Sequence, residues 1–352
     1  MKHRPPLVRR TTLAAIAAAL LLPGAAWADL PMTYLITNGA AANPLAHLGW
    51  GLMGLSVFVI VFIALAVLIG IWRGRRSWPT DAAGRPKLLP GVNAAPFVVI
   101  GVCVSIVLLF GSAVWTFFTL AHVSQPPKDP AITLDVTAHQ WWWEVEYKHY
   151  GQKLRTFVTA NEIHVPVGEP VRVRLISPDV IHSFWAPELF GKMDVIPGQT
   201  NITWFEAAKA GTYRGQCTEF CGLQHAHMAF HVVAQPPAKF HQWWTHQLAD
   251  AKQPVSPAAQ QGEKVFLHHC AVCHTVRGAG GPDIIAMGKL GPDLTHLMSR
   301  HWLGAGTVPN TTGYLAAWVE NAQSIKPGID MPTMDLTNRQ LLDVVAYLQT
   351  LN

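Results

Sequence analysis

Two long apolar segments stand out in the pattern of hydrophobic and polar positions along the chain. Residues 48–72 and 92–120 contain no charged side chain, and each segment is long enough to cross a bilayer as a helix. The alternative is a pair of buried core helices, but the length and the charge-free character argue against it. The pattern therefore predicts a transmembrane hairpin.

The remainder of the chain changes period twice. Alternating hydrophobic and polar stretches such as 133–137 and 171–175 are separated by turn signals, which is typical of a β-sandwich or barrel. From residue 259 onward the period is helical. The predicted helices cover residues 260–269, 312–321 and 338–351, the last with Thr337 as its N-cap.

The N-terminus has the features of a cleaved export signal. Four basic residues precede an apolar run over residues 13–22, and Ala26-Trp27-Ala28 offers a small-x-small cleavage site. A short membrane anchor is the alternative, although the run is too short to span comfortably. Between the two long segments, five basic residues stand against Asp81. This loop is therefore expected in the cytoplasm, with both ends of the hairpin on the outer face.

These patterns divide the chain into five segments. They are a signal peptide (1–28), the transmembrane hairpin (29–125), a β-rich domain (126–236), a linker (237–258) and a helical domain (259–352). The predicted fold class is a multidomain membrane protein, with the β-rich and helical domains outside the membrane.

Composition indicates a membrane protein, and the distribution of charge argues against nucleic-acid binding. Only 13% of the residues are charged, against about 25% in soluble domains. The net charge of +5 suggests a nucleic-acid or membrane-surface partner. Four basic residues belong to the signal, however, and five to the cytoplasmic loop. The outer part is left mildly acidic, which suits a basic donor protein and predicts no nucleic-acid partner.

The densest chemistry lies between residues 217 and 228. Two thiols (Cys217 and Cys221), an imidazole (His225) and a thioether (Met228) occur within twelve residues, and soft donors of this kind favour copper. Two thiolates can bridge two copper ions, each of which also needs a histidine, and His182 is the obvious second supplier. Structural zinc, a disulfide, or Met228 as ordinary core are the alternatives.

Four segments here resemble subunit II of cytochrome c oxidase, in the family's order. They are HQWWWEVEY (139–147), DVIHSF (179–184), DVIPG (194–198) and GQCTEFCGLQHAHM (215–228), and the two-span hairpin resembles the family as well. The resemblance implies a cupredoxin-like barrel that holds a binuclear copper (CuA) centre. The implied ligands are His182, Cys217, Cys221, His225, Met228 and the backbone carbonyl of Glu219.

The resemblance also assigns neighbouring residues. It implies that the Glu219 side chain reaches a magnesium ion at the junction with subunit I. It makes Trp141 the residue that receives electrons from a docked cytochrome, a role that the helical domain of this chain could share. His227 and His231 are expected not to be ligands.

A second metal signature opens the helical domain. Cys270-Ala271-Val272-Cys273-His274 is the c-type haem attachment motif, in which two thiols bind one haem covalently and His274 is an axial iron ligand. A redox dithiol or half of a zinc site are the alternatives. The candidates for the second axial ligand are Met287, Met298, Met331 and Met334.

Two loops resemble those of small cytochrome c domains of class I, which are all-α. KPGIDMP (326–332) resembles their Met-Pro loop and implies Met331 as the axial ligand, with Met334 second. GPDL (291–294) resembles the loop after the haem. It implies that the Pro292 carbonyl accepts the ring N–H of His274.

The combination resembles the caa3-type oxidases of bacteria. It implies that a soluble cytochrome c or similar donor reduces haem c, which reduces CuA, which passes electrons to subunit I, the holder of the oxygen-reducing centre. The chain would then be a subunit of cytochrome-c oxidase, an oxidoreductase and proton-translocating complex, with no catalytic residue of its own. Its partners would include the other oxidase subunits, and its location would be the bacterial inner membrane, crossed twice.

Two other functions stay open at this point. They are a relay to a nitric oxide reductase and a tethered carrier without an oxidase partner. Quinol oxidases have a related subunit that lacks the copper ligands, so the intact cysteine pair argues against that class. One departure from the family concerns Pro96, before which many members have a carboxylate at a proton path. Residues 87–95 contain no Asp or Glu, which removes the basis for expecting proton uptake there.

Overall fold

The computed structural model describes residues 32–74, 83, 95–125, 129–150, 156–281 and 288–352. The predicted signal peptide, most of the basic loop and Met287 lie outside these residues. The predictions made for them therefore stay predictions.

Two long helices form the predicted hairpin. Helix α1 (Ala42–Gly74) and helix α2 (Ala95–Val123) are both long and apolar enough to cross a membrane, and their apolar windows are not buried within the chain. Helix α1 begins six residues before the predicted span. A Cβ atom on Gly51 would lie 2.2 Å from the Trp115 ring, so glycine allows the two helices to approach closely.

Ten strands build the β-rich domain as two five-stranded sheets. The first sheet has the order β3 (Phe157–Ala160), β2 (Trp142–Tyr150), β1 (Ile132–His139), β5 (Val171–Ile176), β8 (Asn201–Phe205). The second has the order β4 (Glu162–Pro166), β10 (Ala229–Gln235), β9 (Gly211–Cys217), β6 (His182–Trp185), β7 (Met193–Val195). The β1–β5 and β4–β10 pairs are parallel and the others are antiparallel.

The alternation along the strands explains the sandwich. In β5, Val171, Val173 and Leu175 are completely buried, whereas the residues between them are partly exposed. Trp143 of β2 is also completely buried, and its ring contacts Phe184 and Phe230 at centroid distances of 5.3 and 5.5 Å. Edge-to-face aromatic contacts of this kind fill the core between the two sheets.

Helix α3 (Pro237–Gln247) occupies the first half of the segment that the sequence predicts as a linker. Phe240 and Trp244 lie on one face of this helix and are buried in the sandwich core. Pro237 stands in the first turn of the helix, where proline is tolerated, so the Pro-Pro pair starts a helix instead of an extended linker. The β-rich domain therefore extends to Gln247.

The C-terminal domain is helical, as predicted. Its elements are α4 (Pro257–His269), a short hairpin of β11 (Trp302–Leu303) and β12 (Val308–Pro309), α5 (Thr312–Ile325) and α6 (Asn338–Leu348). Helix α4 packs tightly on α6. The contact is so close that a Cβ atom on Gly262 would clash with the backbone of Asp343, so glycine is needed at this position. The predicted N-cap Thr337 is confirmed and forms a capping box with Gln340.

Candidate metal centres

The side chains predicted to bind copper converge at one end of the sandwich. His182 begins β6 and Cys217 ends its antiparallel neighbour β9, so both lie at the same edge. The sulphur atoms of Cys217 and Cys221 are 3.7 Å apart. The first lies 3.9 Å from Nδ1 of His182, and the second lies 3.5 Å from Nδ1 of His225 and 3.8 Å from Sδ of Met228. Each thiol thus has one imidazole beside it.

This donor set fits copper better than the alternatives. Cys217 and Cys221 are both free thiols, so they do not form a disulfide. Met228 is completely buried against Cys221, and a thioether is a copper ligand but not a usual zinc ligand. The backbone carbonyl of Glu219 lies 3.3 Å from the Cys217 sulphur, within reach of the same centre. The residues present therefore fit a copper centre held by thiols, imidazoles and a thioether.

Asp179 orients one of the two imidazoles. Its carboxylate lies 2.8 Å from Nε2 of His182 and also accepts backbone hydrogen bonds from Gln140 and Val180 at 2.7 and 2.6 Å. Burial opposes ionisation of Asp179, but these hydrogen bonds hold its pKa below the ordinary value. The ring proton of His182 therefore sits on Nε2, which leaves the Nδ1 lone pair facing the cysteines.

The two cysteine sulphurs shift each other's pKa. The hydrogen bond between them, at 3.7 Å, lowers the pKa of Cys217, with a further contribution from His182 against the opposing effect of burial. The same hydrogen bond raises the pKa of Cys221. Cys217 is therefore the more readily ionised of the two thiols, and the thiolate is the form that binds a soft metal ion.

The other residues named for this region lie around the centre. Glu219 has an exposed side chain and is followed by Phe220, which is 77% exposed. The ring of His227 contacts the Gln224 side chain at 2.7 Å, and His231 stacks on Trp302. The ligand atoms that lie within 4.8 Å of one another belong to His182, Cys217 and Cys221; His225 is outside this group, as are His227 and His231, so the choice among these three histidines stays a prediction.

The predicted haem motif forms a turn directly after α4. The backbone N–H groups of Cys273 and His274 both donate to the Cys270 carbonyl at 3.0 Å. Nδ1 of His274 donates to the Pro292 carbonyl at 2.8 Å, as predicted, and this leaves Nε2 free to bind iron. Burial also lowers the pKa of His274, which favours the neutral ring. A Cβ atom on Gly291 would lie 2.5 Å from that ring, so only glycine allows the backbone to pack this closely against His274.

A buried guanidinium nitrogen of the half-buried Arg300 gives a second indication of haem. The guanidinium of Arg300 donates to the carbonyl of Asp293, and its Nε atom is buried without a partner among the described residues. A buried donor that lacks an acceptor is unfavourable, and a haem carboxylate would supply one. The residues of this domain therefore fit a covalently bound haem.

One glutamine shapes the loop that carries the predicted axial methionine. The amide of Gln323 donates to the Met331 carbonyl at 2.7 Å and accepts from the Gly328 N–H at 2.8 Å. Met331 and Met334 are both half-buried, so their relative assignment stays a prediction. Met298 packs against the hydrophobic core of the domain instead.

This methionine loop contacts the copper-ligand loop directly. The side-chain amide of Gln224 donates to the Pro327 carbonyl at 2.6 Å. A Cβ atom on Gly328 would lie 2.7 Å from Cδ2 of Leu223, so the two loops pack closely. The helical domain is thus docked on the rim of the copper site.

Two buried charged residues at this interface were not singled out by the sequence. Glu162 is 2% exposed, and its carboxylate accepts backbone hydrogen bonds from His301 and Trp302 at 2.5 and 3.1 Å. Burial acts to raise its pKa, but hydrogen bonds with His164 and His301 lower it to about 2. Glu162 therefore anchors the β11–β12 hairpin to the β-rich domain. In the sequence it is one polar residue in a strand.

The second buried charge is Lys326. It is 2% exposed, and its ammonium group donates to the carbonyl oxygens of Trp141 and Gly304 at 2.7 and 2.9 Å. Burial lowers its pKa to about 7. The Trp141 indole N–H in turn donates to the Cys221 carbonyl at 2.9 Å. Lysine is usually exposed, so composition gave no signal for this contact.

Two family models match the part of the chain that contains the candidate metal centres. A family model described as cytochrome c oxidase subunit II, periplasmic domain, matches residues 151–235, and one described as cytochrome c matches residues 259–352. A solved structure of the periplasmic domain of cytochrome oxidase subunit II from Bradyrhizobium japonicum is 33% identical, and the match covers 36% of this chain and 100% of that one with a TM-score of 0.33.

Two full-length relatives cover most of the chain. Cytochrome c oxidase subunit 2 of Alkalihalophilus pseudofirmus is 33% identical over 305 residues, which are 85% of this chain and 83% of the relative. The protein of the same name from Bacillus sp. strain PS3 is 32% identical, with 76% of each chain covered. With its membrane hairpin, its copper-type ligand cluster and its haem motif, the chain belongs to the cytochrome c oxidase subunit 2 family.

Proposed function

We propose that this chain takes up electrons from a soluble cytochrome c or similar carrier on the outer face of the bacterial inner membrane and delivers them to subunit I of a haem–copper oxidase. The contact between Gln224 and Pro327 carries this proposal, because it joins the loop of copper ligands to the loop of the haem ligand within one chain. When bound, haem c and the dicopper centre would each accept and release single electrons. The oxygen-reducing site belongs to the partner subunit.

The chain's own residues hold and tune both centres. Asp179 keeps the Nδ1 lone pair of His182 directed at the cysteines, and the Pro292 carbonyl does the equivalent for Nε2 of His274. The copper ligands Cys217 and Met228 are almost completely buried, which excludes water from that side of the site. A dry and rigid site reduces the rearrangement that accompanies a change of charge.

Trp141 links the two centres in this proposal. Its indole donates to the backbone of the copper ligand Cys221, while its own backbone accepts a hydrogen bond from the helical domain. The tryptophan therefore contacts both the haem domain and the backbone of Cys221, which supports a role in passing electrons from the fused domain to copper.

The exposed part of the copper loop supports a junction with subunit I. Glu219 and Phe220 are exposed next to the ligands, and an exposed aromatic side chain at this position is typical of a protein interface. We assign the Glu219 carboxylate to a magnesium ion at that junction. Five soft or nitrogen donors and one carbonyl remain for copper.

A metal and subunit census tests the proposal. The complex is purified from membranes, and copper, haem c and co-purifying haem subunits are counted per chain. We expect two copper ions, one haem c and an oxygen-binding haem subunit. Isolation of the chain by itself would instead support a tethered carrier, and co-purification with a nitric oxide reductase would support the relay function.

A further inference from the structure

We propose that Lys326 is a positioning residue for electron transfer between the two centres: its side chain ties the start of the methionine loop to the backbone of Trp141 and so holds the Trp141 indole on Cys221. This inference rests on the proposed function. It concerns a residue that lies outside both sets of metal ligands.

The geometry places Lys326 where the two domains meet. It follows the last residue of α5, and its backbone N–H bonds to the Ala322 carbonyl at 2.9 Å, so the helix fixes its position. The side chain leaves its own domain and donates to the Trp141 carbonyl at 2.7 Å. A second hydrogen bond, to Gly304 at 2.9 Å, holds the ammonium group against the tip of the β11–β12 hairpin.

Trp141 transmits this restraint to the copper site. Its indole N–H donates to the Cys221 carbonyl at 2.9 Å, and the Gln140 amide donates to the same oxygen at 2.7 Å. Trp141 is thus bonded to the haem domain through its backbone and to a copper ligand through its side chain. Because electron transfer slows exponentially with the gap to be crossed, a small displacement of Trp141 is expected to reduce the rate strongly.

The choice of lysine argues for positioning instead of simple adhesion. A buried ammonium group is costly, and both of its hydrogen bonds end on neutral carbonyls. Glu162 already anchors the hairpin to the β-rich domain through His301 and Trp302 without touching Trp141. The two contacts therefore have separable roles, docking by Glu162 and orientation by Lys326.

The step affected is a single-electron transfer. With both groups bound, one electron would pass from ferrous haem to the oxidised dicopper centre, leaving the haem ferric and the copper centre reduced by one electron. The residues of this chain would only hold the two groups in position, so a change in rate would report distance, orientation, potential or reorganisation.

The test is a double-substitution cycle in the intact oxidase complex. Lys326→Met keeps the length of the side chain and removes the ammonium group, and Trp141→Phe removes the indole N–H. The intramolecular haem-to-copper phase is followed after photochemical reduction of the haem in the wild type, in both single variants and in the double variant. Lys264→Met, an exposed lysine on α4, is the matched control.

We expect Lys326→Met to slow the intramolecular phase about tenfold or more, as misplacement of reacting groups does, and Lys264→Met to leave it unchanged. In the Trp141→Phe background, Lys326→Met should have little additional effect, since the lysine acts through that residue. An unchanged rate, or a slowing that is fully additive with Trp141→Phe, would overturn the proposal.

Three readouts separate this result from failure of the proposed function. The near-infrared copper band, the haem c spectrum and the external reduction of the haem should be the same in Lys326→Met as in the wild type. Absence of copper or haem from the wild-type chain would contradict the proposed function instead.

A measurement on the metal-free full chain is independent of activity. Hydrogen exchange should become about tenfold faster around Trp141 in Lys326→Met, since a buried hydrogen bond is lost, and should stay unchanged in Lys264→Met. Equal exchange in both would count against the proposal. If Lys326→Met fails to assemble, the shorter Lys326→Gln is subjected to the same two measurements.

Discussion

The side-chain amide of Gln224 donates a 2.6 Å hydrogen bond to the carbonyl oxygen of Pro327, and this bond joins the copper-ligand loop to the loop that leads to Met331. A flexible linker alone would only raise the local concentration of the haem domain near the copper site. Here the domain is docked, with hydrogen bonds from Lys326 and to Glu162 on either side. The hydrogen bonds therefore fix the position of the haem domain beside the copper-ligand loop.

Replacement of one bridging thiol should remove the copper centre and leave the haem. In Cys217→Ser, the near-infrared copper absorption is expected to disappear because a hydroxyl group is a poor ligand for soft copper. The haem c spectrum should stay, since Cys270 and Cys273 belong to another domain. Cys103→Ser, in the membrane helix α2, is the control and should keep both spectra. Loss of both signals in Cys217→Ser would contradict two separate sites.

Removal of the carboxylate that orients His182 should weaken copper binding. Asp179→Asn cannot accept the 2.8 Å hydrogen bond from Nε2 as a charged group, so the ring loses its fixed tautomer and basicity. Copper affinity is expected to fall by roughly 10- to 100-fold, measured by competition with a chelator. Asp129→Asn, on the exposed surface before β1, should bind copper like the wild type. Equal affinities in the two variants would show that Asp179 has no such role.

The axial ligand can be identified from the haem potential. Met331→His should lower the potential by roughly 0.1–0.3 V, a fraction of the range that axial ligands span, because a thioether ligand raises it. Redox titration of the haem band measures this change. Met334→His is the matched comparison and should leave the potential where it is. The reverse result would assign the ligand to Met334.

The domain contact should weaken in acid through Glu162. Its pKa of about 2 in the folded chain is below the ordinary value of 4.5, so ionised Glu162 stabilises the fold above pH 4.5. That contribution, up to about 3 kcal/mol, is lost as the pH falls from 4.5 towards 2. The difference in free energy of unfolding between the wild type and Glu162→Gln should therefore shrink over this window.

Denaturant unfolding at several pH values, followed by tryptophan fluorescence, gives that difference. Asp129→Asn serves as the control with a carboxylate outside the interface, and its difference from the wild type should not depend on pH in this way. A difference for Glu162→Gln that stays constant from pH 6 to pH 2.5 would rule out the buried ion contact as its source.

Much of the architecture was predictable because its signals are local. Charge-free length predicts the membrane helices, strict alternation predicts strands such as β5, and Thr337 as an N-cap predicts a helix start. The ligand loop from Cys217 to Met228 and the haem motif are also local, since each is a short segment. The local sequence does not predict helix α3, because polar residues surround its two buried aromatic residues. Only the folded sandwich provides the core against which these two rings pack.

The sequence by itself determined most of the helices and strands and identified the candidate metal-binding residues, because those signals depend on neighbours within a few positions. Only the tertiary structure decided that Lys326 reaches Trp141 and that Glu162 reaches His301, contacts that join residues 185 and 139 positions apart. Burial of a charged side chain against distant backbone groups leaves no periodic trace, since it depends on how two finished domains fit together. That fit places the two ligand loops side by side.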